Sequence, residues 1–387
     1  DAADIPVRAV ELGVNYLDTA NAYGPSQSIY GEAFRRMRLA PWQADYNAAL
    51  REQLFIATKT GQRSAAGAVS ELKRSLTLLF GDGKGWFPDE AYLDSIQIHN
   101  LTSVSQVDQI YDEKAGALMG LLDYRDGTNR AGLNPEHRSV VRHLGITGHY
   151  SSVVLMNALQ RDKLDIIDTL LVALNANDRR ASSFQYNAVP VARARGLGIV
   201  AMKVFCAGSL YTKLGRQPGN AEELIRSVGY PGGIDSADLV RYPLSVPGVA
   251  TVIAGISAIS REAPEADQIA ANLAGALQDA TTDSERVRIE AAVAELHGTG
   301  TNFFQVYSRS ITQPPAPEVT RDSGRVIIRW QSALASSDAL RWYDIWCGDY
   351  RLARIPFRPQ TTSEPLTTWL PPEDAPDGPY RVEAVTA

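Results

Sequence analysis

The sequence predicts an α/β protein, a (β/α)₈ TIM barrel followed by a small all-β domain with an immunoglobulin-like sandwich fold. Two observations lead to this prediction. Short apolar runs alternate with amphipathic helical stretches through most of the chain, which is typical of βαβ units on a parallel sheet. After residue 312 the helical periodicity stops, and short alternating runs separated by Pro and Gly replace it. A chain of 387 residues has room for two such domains.

Hydrophobic periodicity assigns the barrel elements in order. Val69, Leu72, Leu76 and Leu79 recur at helical spacing, for example, and Gly13 ends a first short helical stripe. The predicted strands are residues 14–18, 53–59, 92–99, 142–147, 169–174, 198–204 and 250–255, and the predicted helices are residues 26–38, 66–80, 152–159, 189–195 and 265–278.

The number of predicted strands, seven, is one short of the eight that close a barrel. Residues 1–13 already have the pattern of the second half of a helix, so we expect the first strand to lie upstream of Asp1. A doubly wound open sheet is the alternative, but no Gly-x-Gly-x-x-Gly sequence follows any predicted strand.

A stiff linker, Gln-Pro-Pro-Ala-Pro at residues 313–317, separates the two predicted domains, which we place at residues 1–312 and 313–387. In the second domain residues 326–330, 342–347 and 380–385 alternate as strands do. With Pro317, Trp330 and Tyr343 these runs resemble a fibronectin type III domain, which is a β-sandwich.

The composition excludes several classes of function. The formal net charge is -6 and no basic stripe is present, which argues against binding to nucleic acid or to an anionic membrane surface. No apolar run is long enough to span a membrane. The two cysteines, Cys206 and Cys347, fall in different predicted domains, so neither a disulfide framework nor a metal site is expected.

Four polar residues stand where the first predicted strands end. Asp18, Lys59 and His99 close successive strands, and Tyr23 lies in the loop after the first of them. Because the C-terminal ends of barrel strands share one face, we expect these side chains to meet. A charged lysine beside a tyrosine lowers the tyrosine pKa from about 10, and a buried carboxylate keeps that lysine charged. The set therefore predicts a proton donor for the alkoxide that hydride delivery to a carbonyl produces.

The first of these strands and its loop resemble the aldo-keto reductase motif, in which Asp and Tyr stand five residues apart. The matching segment is Leu-Asp-Thr-Ala-Asn-Ala-Tyr-Gly at residues 17–24, and Gln27 stands where the family usually has Glu. Residues 56–59 and 97–99 resemble the lysine and histidine strands of the same family. The resemblance covers roughly residues 1–300 and implies an NAD(P)H-dependent oxidoreductase that interconverts a carbonyl and an alcohol by hydride transfer.

By this resemblance Tyr23 is the general acid/base, Lys59 and Asp18 tune its pKa, and His99 orients the substrate carbonyl. The implied substrate is a small carbonyl or alcohol, with a sugar as one candidate. Three long loops, residues 81–85, 124–135 and 206–242, are expected to shape the substrate pocket.

The resemblance also implies a nicotinamide site at the later strand ends. Thr147 can replace the Ser that usually holds the carboxamide, whereas Gly148 stands where the family usually has Asn. His149 and Asn177 are the two candidates for that missing contact. Lys203 lies close to the place of an aromatic residue that often stacks on the nicotinamide, and it could contact a phosphate or the substrate, or only cap the barrel.

A second group of residues resembles the adenosine-phosphate site of the family. Gly255 and Ser257 stand at the close of the last predicted strand, and Gln268 and Asn272 begin the next helix, whose N–H groups suit a phosphate. Arg261 lies between them and is placed to meet a 2′-phosphate. We therefore expect NADP(H) in preference to NAD(H), although the acidic residues nearby suit the ribose hydroxyls of NAD(H).

Two other functions are compatible with the sequence. One is a nucleotide-binding sensor or scaffold on the same barrel with little turnover. The other is a binding protein that contacts a protein or carbohydrate through its C-terminal sandwich, for which Trp342, Trp346 and Trp369 are candidates. The location stays open between the cytoplasm and export of a folded protein after removal of a leader.

Overall fold

Seven parallel strands form the centre of the N-terminal domain in the computed structural model, which describes residues 1–178, 183–206, 235–297, 312–370 and 376–386. Each strand pairs with the next one along the chain, so the order in the sheet is the order in the sequence. The strands are β1 (Tyr16–Asp18), β2 (Phe55–Thr60), β3 (Leu93–Ile98), β4 (Val141–Gly148), β5 (Thr169–Ala173), β6 (Gly198–Met202) and β7 (Val249–Val252).

The predicted parallel sheet is thereby confirmed, with strands that are mostly shorter than expected. β5 is buried at every residue, which is why it has a continuous apolar sequence rather than an alternating one. Among the described residues β1 and β7 are the two edges of this curled sheet. The eighth strand, expected upstream of Asp1, stays a prediction.

Helices follow the strands and cover the sheet. They are α1 (Asp4–Glu11), α2 (Ser26–Arg36), α3 (Ala48–Gln53), α4 (Ala65–Phe80), α5 (Val104–Ile110), α6 (Ala117–Asp126), α7 (Ser152–Arg161), α8 (Ala188–Ala194), α9 (Ser236–Leu244), α10 (Gln268–Ala276) and α11 (Asp283–His297). In α4 the Ser64 hydroxyl accepts the Gly67 N–H at 3.3 Å, and the predicted apolar stripe is buried.

Some of these helices were not predicted from periodicity. Seven of the ten residues of α6 are buried, Asp123 and Tyr124 among them, so no single apolar stripe marks this helix in the sequence. The Asp123 carboxylate accepts the N–H groups of Arg130 and Ala131 at 2.8 and 2.7 Å. A buried aspartate therefore stands where a helical pattern requires an apolar residue.

Two of the three long loops do not lie where we expected. Residues 81–85 precede β3 and residues 124–135 precede β4, so both lie at the N-terminal ends of strands. The catalytic face of a parallel barrel is formed by the opposite ends. These loops therefore do not shape the pocket, and residues 207–234 of the third loop lie outside the described residues.

The C-terminal domain contains two three-stranded antiparallel sheets, with strand orders β11-β10-β13 and β12-β9-β8. Its strands are β8 (Glu318–Asp322), β9 (Arg325–Trp330), β10 (Leu340–Cys347), β11 (Tyr350–Pro356), β12 (Leu366–Leu370) and β13 (Tyr380–Thr386). The three predicted strands match β9, β10 and β13. No residue of β11 is fully buried, so this edge strand lacks the alternation that would have revealed it. The immunoglobulin-like and fibronectin type III assignments stay predictions.

The tryptophans of this domain have different environments. Trp330 is buried against Tyr343 in the core, with ring centroids 5.4 Å apart. Trp342 is 38% exposed, and the guanidinium group of Arg354 lies 6.0 Å from its ring. The side chain of Trp369 lies outside the described part of the chain. Among the candidate tryptophans whose side chains the structure describes, Trp342 is therefore the exposed one, and an arginine lies beside it.

Hydrogen bonds join the two domains. The Gln160 side chain in α7 donates to the Gln360 carbonyl at 2.9 Å, and Asn187, just before α8, bonds both backbone groups of Ala335. The Tyr186 side chain packs against the C-terminal core. The C-terminal domain is therefore docked on the barrel around the α7–α8 region.

No helix among the described residues is long and apolar enough to cross a lipid bilayer. In the same residues no group of three or more His, Cys, Asp or Glu side chains is arranged to hold a metal ion. Cys206 and Cys347 are both buried.

A buried ion pair links α3 to the start of the sheet. The Arg51 guanidinium lies 2.9 Å from the Asp94 carboxylate and donates to the carbonyl groups of Leu54 and Tyr92. The same carboxylate accepts the Ile56 N–H at 2.9 Å. Because both charges are almost completely removed from water, removing either residue would leave the other charge buried without its closest partner.

Replacing Arg51 by Met should lower the free energy of unfolding by about 3–5 kcal/mol, because Asp94 stays buried with only the half-exposed Arg142 to pair it. Urea unfolding followed by circular dichroism measures this loss. The matched control is Arg38→Met, which breaks an exposed pair with Asp45 and should cost about 0–1 kcal/mol. Equal losses in the two variants would contradict the role of the buried pair.

Candidate active site

The four polar residues predicted at strand ends meet at one end of the sheet. Asp18 is the last residue of β1, Lys59 lies near the end of β2, and His99 directly follows β3. Tyr23 lies in the loop that leaves β1. Parallel pairing of β1 with β2 and of β2 with β3 places these ends side by side. The register of the sheet therefore assembles the group.

Lys59 is the centre of the group. Its ammonium is completely buried and forms an ion pair with the Asp18 carboxylate. It also donates to the Thr19 carbonyl at 3.0 Å. Burial raises the pKa of Asp18, and the positive charge of Lys59 acts against this rise. The pair therefore places one lysine charge, held by one carboxylate, at the bottom of the site.

The Tyr23 ring lies between the lysine and the histidine. Its centroid is 4.9 Å from the Lys59 ammonium nitrogen and 5.7 Å from the centroid of the His99 ring, with the two ring planes at 82°. Burial raises the pKa of Tyr23, while the charge and hydrogen bond of Lys59 lower it. The net shift is upward, so the prediction that Lys59 brings this pKa below 10 needs correction. Loss of hydration outweighs the lysine here.

A second histidine stands beside the first. The rings of His99 and His149 are 6.3 Å apart between centroids. Burial and the charge of Lys59 lower the pKa of His99 to about 4. Burial and the charge of Lys203 lower the pKa of His149 to about 3. Both imidazoles are therefore neutral near pH 7, and a neutral imidazole has one N–H that can donate to a substrate oxygen.

Hydrogen bonds from the loop after β1 hold the lysine strand in place. The Asn21 side chain donates to the Lys59 carbonyl at 3.1 Å and to the Ser75 hydroxyl at 2.9 Å. Gln27 donates to the hydroxyl groups of Thr58 and Ser75, both at 2.8 Å. From the sequence, Gln27 was noted only as a departure from a family motif, and Asn21 and Ser75 were not predicted to hold the lysine strand. No periodicity in the sequence marks a polar residue whose side chain bonds another strand.

The residues expected around a nicotinamide have different contacts in the structure. The Thr147 hydroxyl oxygen accepts the Asn100 N–H at 2.7 Å, which fixes the turn just after His99. A Cβ atom at Gly148 would lie 2.9 Å from Leu155, so this glycine allows α7 to pack closely against β4. An Asn at this position, which the family usually has, would therefore require the Leu155 side chain to shift.

Asn177 is the residue best suited to a carboxamide. It lies in the loop after β5 and is completely buried, yet neither its amide nitrogen nor its amide oxygen has a hydrogen-bond partner in the described structure. Such a group costs about 1–3 kcal/mol unless a partner arrives. A nicotinamide carboxamide offers one donor and one acceptor, which is the complement of this side chain. The residues present therefore fit the nicotinamide end of the cofactor.

Lys203 lies at the end of β6, next to the loop that contains Asn177. Its backbone has a positive φ of 59°, which is uncommon for a residue with a side chain. The Asn175 side chain donates to the Lys203 carbonyl at 2.9 Å, and this bond ties the loop after β5 to the end of β6. Burial lowers the pKa of Lys203. Its charge also acts on His99 and His149, so Lys203 belongs to the same end of the barrel.

The residues expected around an adenosine phosphate form bonds among themselves. The Gln268 side-chain oxygen accepts the N–H groups of Ser257 and Ala258 at 2.6 and 3.0 Å. The buried Asp267 side chain accepts the Ile269 and Ala270 N–H groups at the start of α10. The donors that would face a phosphate are therefore engaged within the protein, and a phosphate would have to displace the Gln268 amide.

Three other predicted residues lie nearby. Arg261 is exposed and forms an ion pair with Glu11, with one guanidinium nitrogen 3.0 Å from a carboxylate oxygen. Gly255 is exposed after β7, and Asn272 is half-buried in α10. The described contacts do not connect these residues to the catalytic end, so their roles stay predictions.

Comparison with known sequences gives the same family as the site residues. A model described as the aldo/keto reductase family matches residues 1–278. The protein YqkF of Bacillus subtilis (strain 168), described as an uncharacterized oxidoreductase, is 24% identical over 282 residues, which are 67% of this chain and 79% of YqkF.

Solved structures resemble the barrel at lower identity. The glycerol dehydrogenase AKR11B4 from Gluconobacter oxydans is 17% identical with a TM-score of 0.50, and the match covers 76% of this chain and 85% of that one. The crystal structure of PA4992 from Pseudomonas aeruginosa gives 21% identity and a TM-score of 0.44, over 71% and 81% of the two chains. The family match over residues 1–278 shows that this chain belongs to the aldo/keto reductase family.

Proposed function

We propose that this protein is an NAD(P)H-dependent oxidoreductase that interconverts a small carbonyl compound and its alcohol, with Tyr23 as the general acid/base. Family membership supports the oxidoreductase class. The observation that supports the chemistry is the packing of Tyr23 between the buried Lys59 ammonium and the neutral His99 ring. This arrangement offers a phenol proton, a fixed positive charge and a neutral N–H donor at one place.

Each residue has a separate task in carbonyl reduction. A nicotinamide held by Asn177 would supply the hydride that the carbonyl carbon accepts. The His99 N–H donates to the carbonyl oxygen and orients it, and the Tyr23 hydroxyl gives its proton to that oxygen as negative charge develops. Lys59 stabilises the phenolate that remains on Tyr23. Asp18 pairs with Lys59 inside the protein, where the two have almost no access to water.

The upward shift of the Tyr23 pKa is consistent with the direction of reduction. A phenol whose pKa is above its usual value keeps its proton at neutral pH, and reduction requires an acid that is protonated at the start. Alcohol oxidation requires the phenolate instead. We therefore propose that Tyr23 carries the proton that carbonyl reduction requires near pH 7.

The proposal for the nicotinamide-binding end of the site is supported by the unpartnered Asn177 side chain and by the family match. Asn177 holds the nicotinamide carboxamide, while Thr147, His149 and Lys203 lie around the same strand ends. At the other end we propose NADP(H) in preference to NAD(H), with Arg261 exchanging Glu11 for the 2′-phosphate. The exchange is feasible because an exposed ion pair is worth only about 0–1 kcal/mol. The substrate is a small carbonyl, with a sugar as one candidate.

Replacing Tyr23 by Phe should lower kcat/KM for carbonyl reduction by about 10²–10⁴-fold, because the proton donor is lost. The affinity for NADPH, measured by fluorescence titration, should stay within about twofold, because the hydroxyl acts on the substrate. Tyr46→Phe, in a surface loop before α3, is the matched control and should leave both quantities unchanged. A Tyr23→Phe variant that reduces aldehydes at the wild-type rate would rule out the assigned acid.

The neutral state of His99 gives a pH prediction. Its pKa of about 4 means that the imidazole stays unprotonated above about pH 5, so kcat/KM should show no inflection near pH 6.5. The rate of NADPH oxidation with a fixed aldehyde, recorded between about pH 5 and pH 8, checks this. An inflection near pH 6.5 that disappears in His99→Gln would show that the histidine is not desolvated as described.

Replacing Asn177 by Leu should weaken NADP⁺ binding by about tenfold or more while leaving the unliganded protein as stable as before, or up to about 1 kcal/mol more stable. The reason is that the variant removes a buried amide without a partner. Titration and urea unfolding measure the two effects. In Asn134→Leu, the control, the loss of three side-chain N–H bonds should lower stability by about 1–3 kcal/mol. A destabilised Asn177→Leu with normal NADP⁺ affinity would mean that Asn177 is structural.

A further inference from the structure

The loop that contains Asn177 is linked internally by one buried carboxylate. We call residues 174–178 and 183–187 the β5–α8 loop, since they connect β5 to α8. The Asp178 side chain accepts the Ser183 hydroxyl at 2.7 Å, the Phe184 N–H at 2.9 Å and the Gln185 N–H at 3.0 Å. The end of the loop next to α8 is therefore tied to the residue that follows Asn177.

The same loop is bonded to the C-terminal domain through Asn187. The Asn187 amide oxygen accepts the Ala335 N–H at 2.8 Å, and its amide nitrogen donates to the Ala335 carbonyl at 3.1 Å. That nitrogen also donates to the Ser183 carbonyl at 2.7 Å. Asn187 and Ala335 are both buried, so these bonds are shielded from water and from exchange with it.

A short chain of contacts thus connects the C-terminal domain to the nucleotide site. It runs from Ala335 to Asn187, on to Ser183 and Asp178, and ends at Asn177, whose amide has no partner inside the described structure. Each step is a hydrogen bond of 3.1 Å or less or a peptide neighbour. A change at the contact between Asn187 and Ala335 can therefore move Asn177, even though that contact does not touch the nucleotide.

We propose that the C-terminal domain positions the nicotinamide end of the nucleotide site through Asn187. This inference rests on the proposed function, because it takes the β5–α8 loop to be part of that site. Asn187 is a positioning residue: it acts on the cofactor only by holding the loop. The C-terminal domain therefore holds the β5–α8 loop in the conformation in which Asn177 receives the carboxamide. This lowers the entropy that the loop loses when the cofactor binds.

Besides Asn187 and the packing of Tyr186, two contacts between the domains lie outside this loop and provide a comparison. The Gln160 side chain in α7 donates to the Gln360 carbonyl at 2.9 Å, and Arg195, after α8, lies 3.4 Å from the Thr361 carbonyl. Both attach the C-terminal domain to the outer helices of the barrel. Removing one of them weakens docking of the domain and leaves the bonds within the β5–α8 loop intact.

The test compares Asn187→Ala with Gln160→Ala in the full chain. Affinity is measured by titration for two ligands, NADP⁺ and 2′-phospho-ADP-ribose, which is NADP⁺ without the nicotinamide ring. Asn187→Ala should weaken NADP⁺ binding at least fivefold and leave binding of the ring-free ligand within twofold. Gln160→Ala should leave both affinities within twofold, although each variant removes one interdomain side chain. A merely structural residue would change both ligands alike.

A second variant covers the case in which Asn187→Ala does not fold. Asn187→Asp keeps the acceptor for the Ala335 N–H and loses the donated bonds to the Ala335 and Ser183 carbonyls. It should therefore keep one of the two bonds to the C-terminal domain and show a smaller loss for NADP⁺ only. Combining Asn187→Ala with Asn177→Leu should add no further loss, because both act on one contact.

Other results of the same measurements would contradict the inference. Any of three results would overturn the inference and leave the proposed function standing. They are an unchanged NADP⁺ affinity in Asn187→Ala or Asn187→Asp, an equal loss of affinity for both ligands, and the same loss of affinity in Gln160→Ala. If the wild-type protein binds neither NADP⁺ nor NAD⁺, the proposed function fails and the inference fails with it.

Discussion

The charge of Lys59 is the constraint on which the rest of the site depends. An ammonium with no access to water is stable only if an ionised partner and good acceptors surround it, and Asp18 and the Thr19 carbonyl supply them. Those partners come from β1, so the register of β1 against β2 is fixed by chemistry as well as by apolar packing. The same charge helps to keep His99 neutral and acts against the effect of burial on Tyr23.

The catalytic end was predictable because it depends on order along the chain. Asp18, Lys59 and His99 each end a strand, and parallel pairing brings such ends together without further information. The net direction of the Tyr23 pKa was not predictable in the same way, since it results from burial by residues distant in the sequence. The pairing of Arg261 with Glu11 likewise joins residues that no local pattern connects.

The departures from the family pattern have a physical reason where the structure describes them. At Gly148 the Leu155 side chain of α7 lies close to the strand end, so a larger residue there would require that side chain to shift. An unpartnered buried amide is present instead on the neighbouring loop, at Asn177. That loop is held on one side by Lys203 at the end of β6 and on the other by Asn187 and the C-terminal domain. The C-terminal domain is therefore connected to the proposed site, although it provides none of the four proposed catalytic residues.

The central claim is that one end of the barrel places a nicotinamide ring beside Tyr23, His99 and Asn177. A crystal structure of the protein grown with saturating NADP⁺ tests this most directly, because it requires no knowledge of the substrate. The account predicts that the nicotinamide ring lies within contact distance of Tyr23 and that its carboxamide bonds the Asn177 side chain. A nucleotide whose nicotinamide lies elsewhere, with the Asn177 amide still unpartnered, would contradict it.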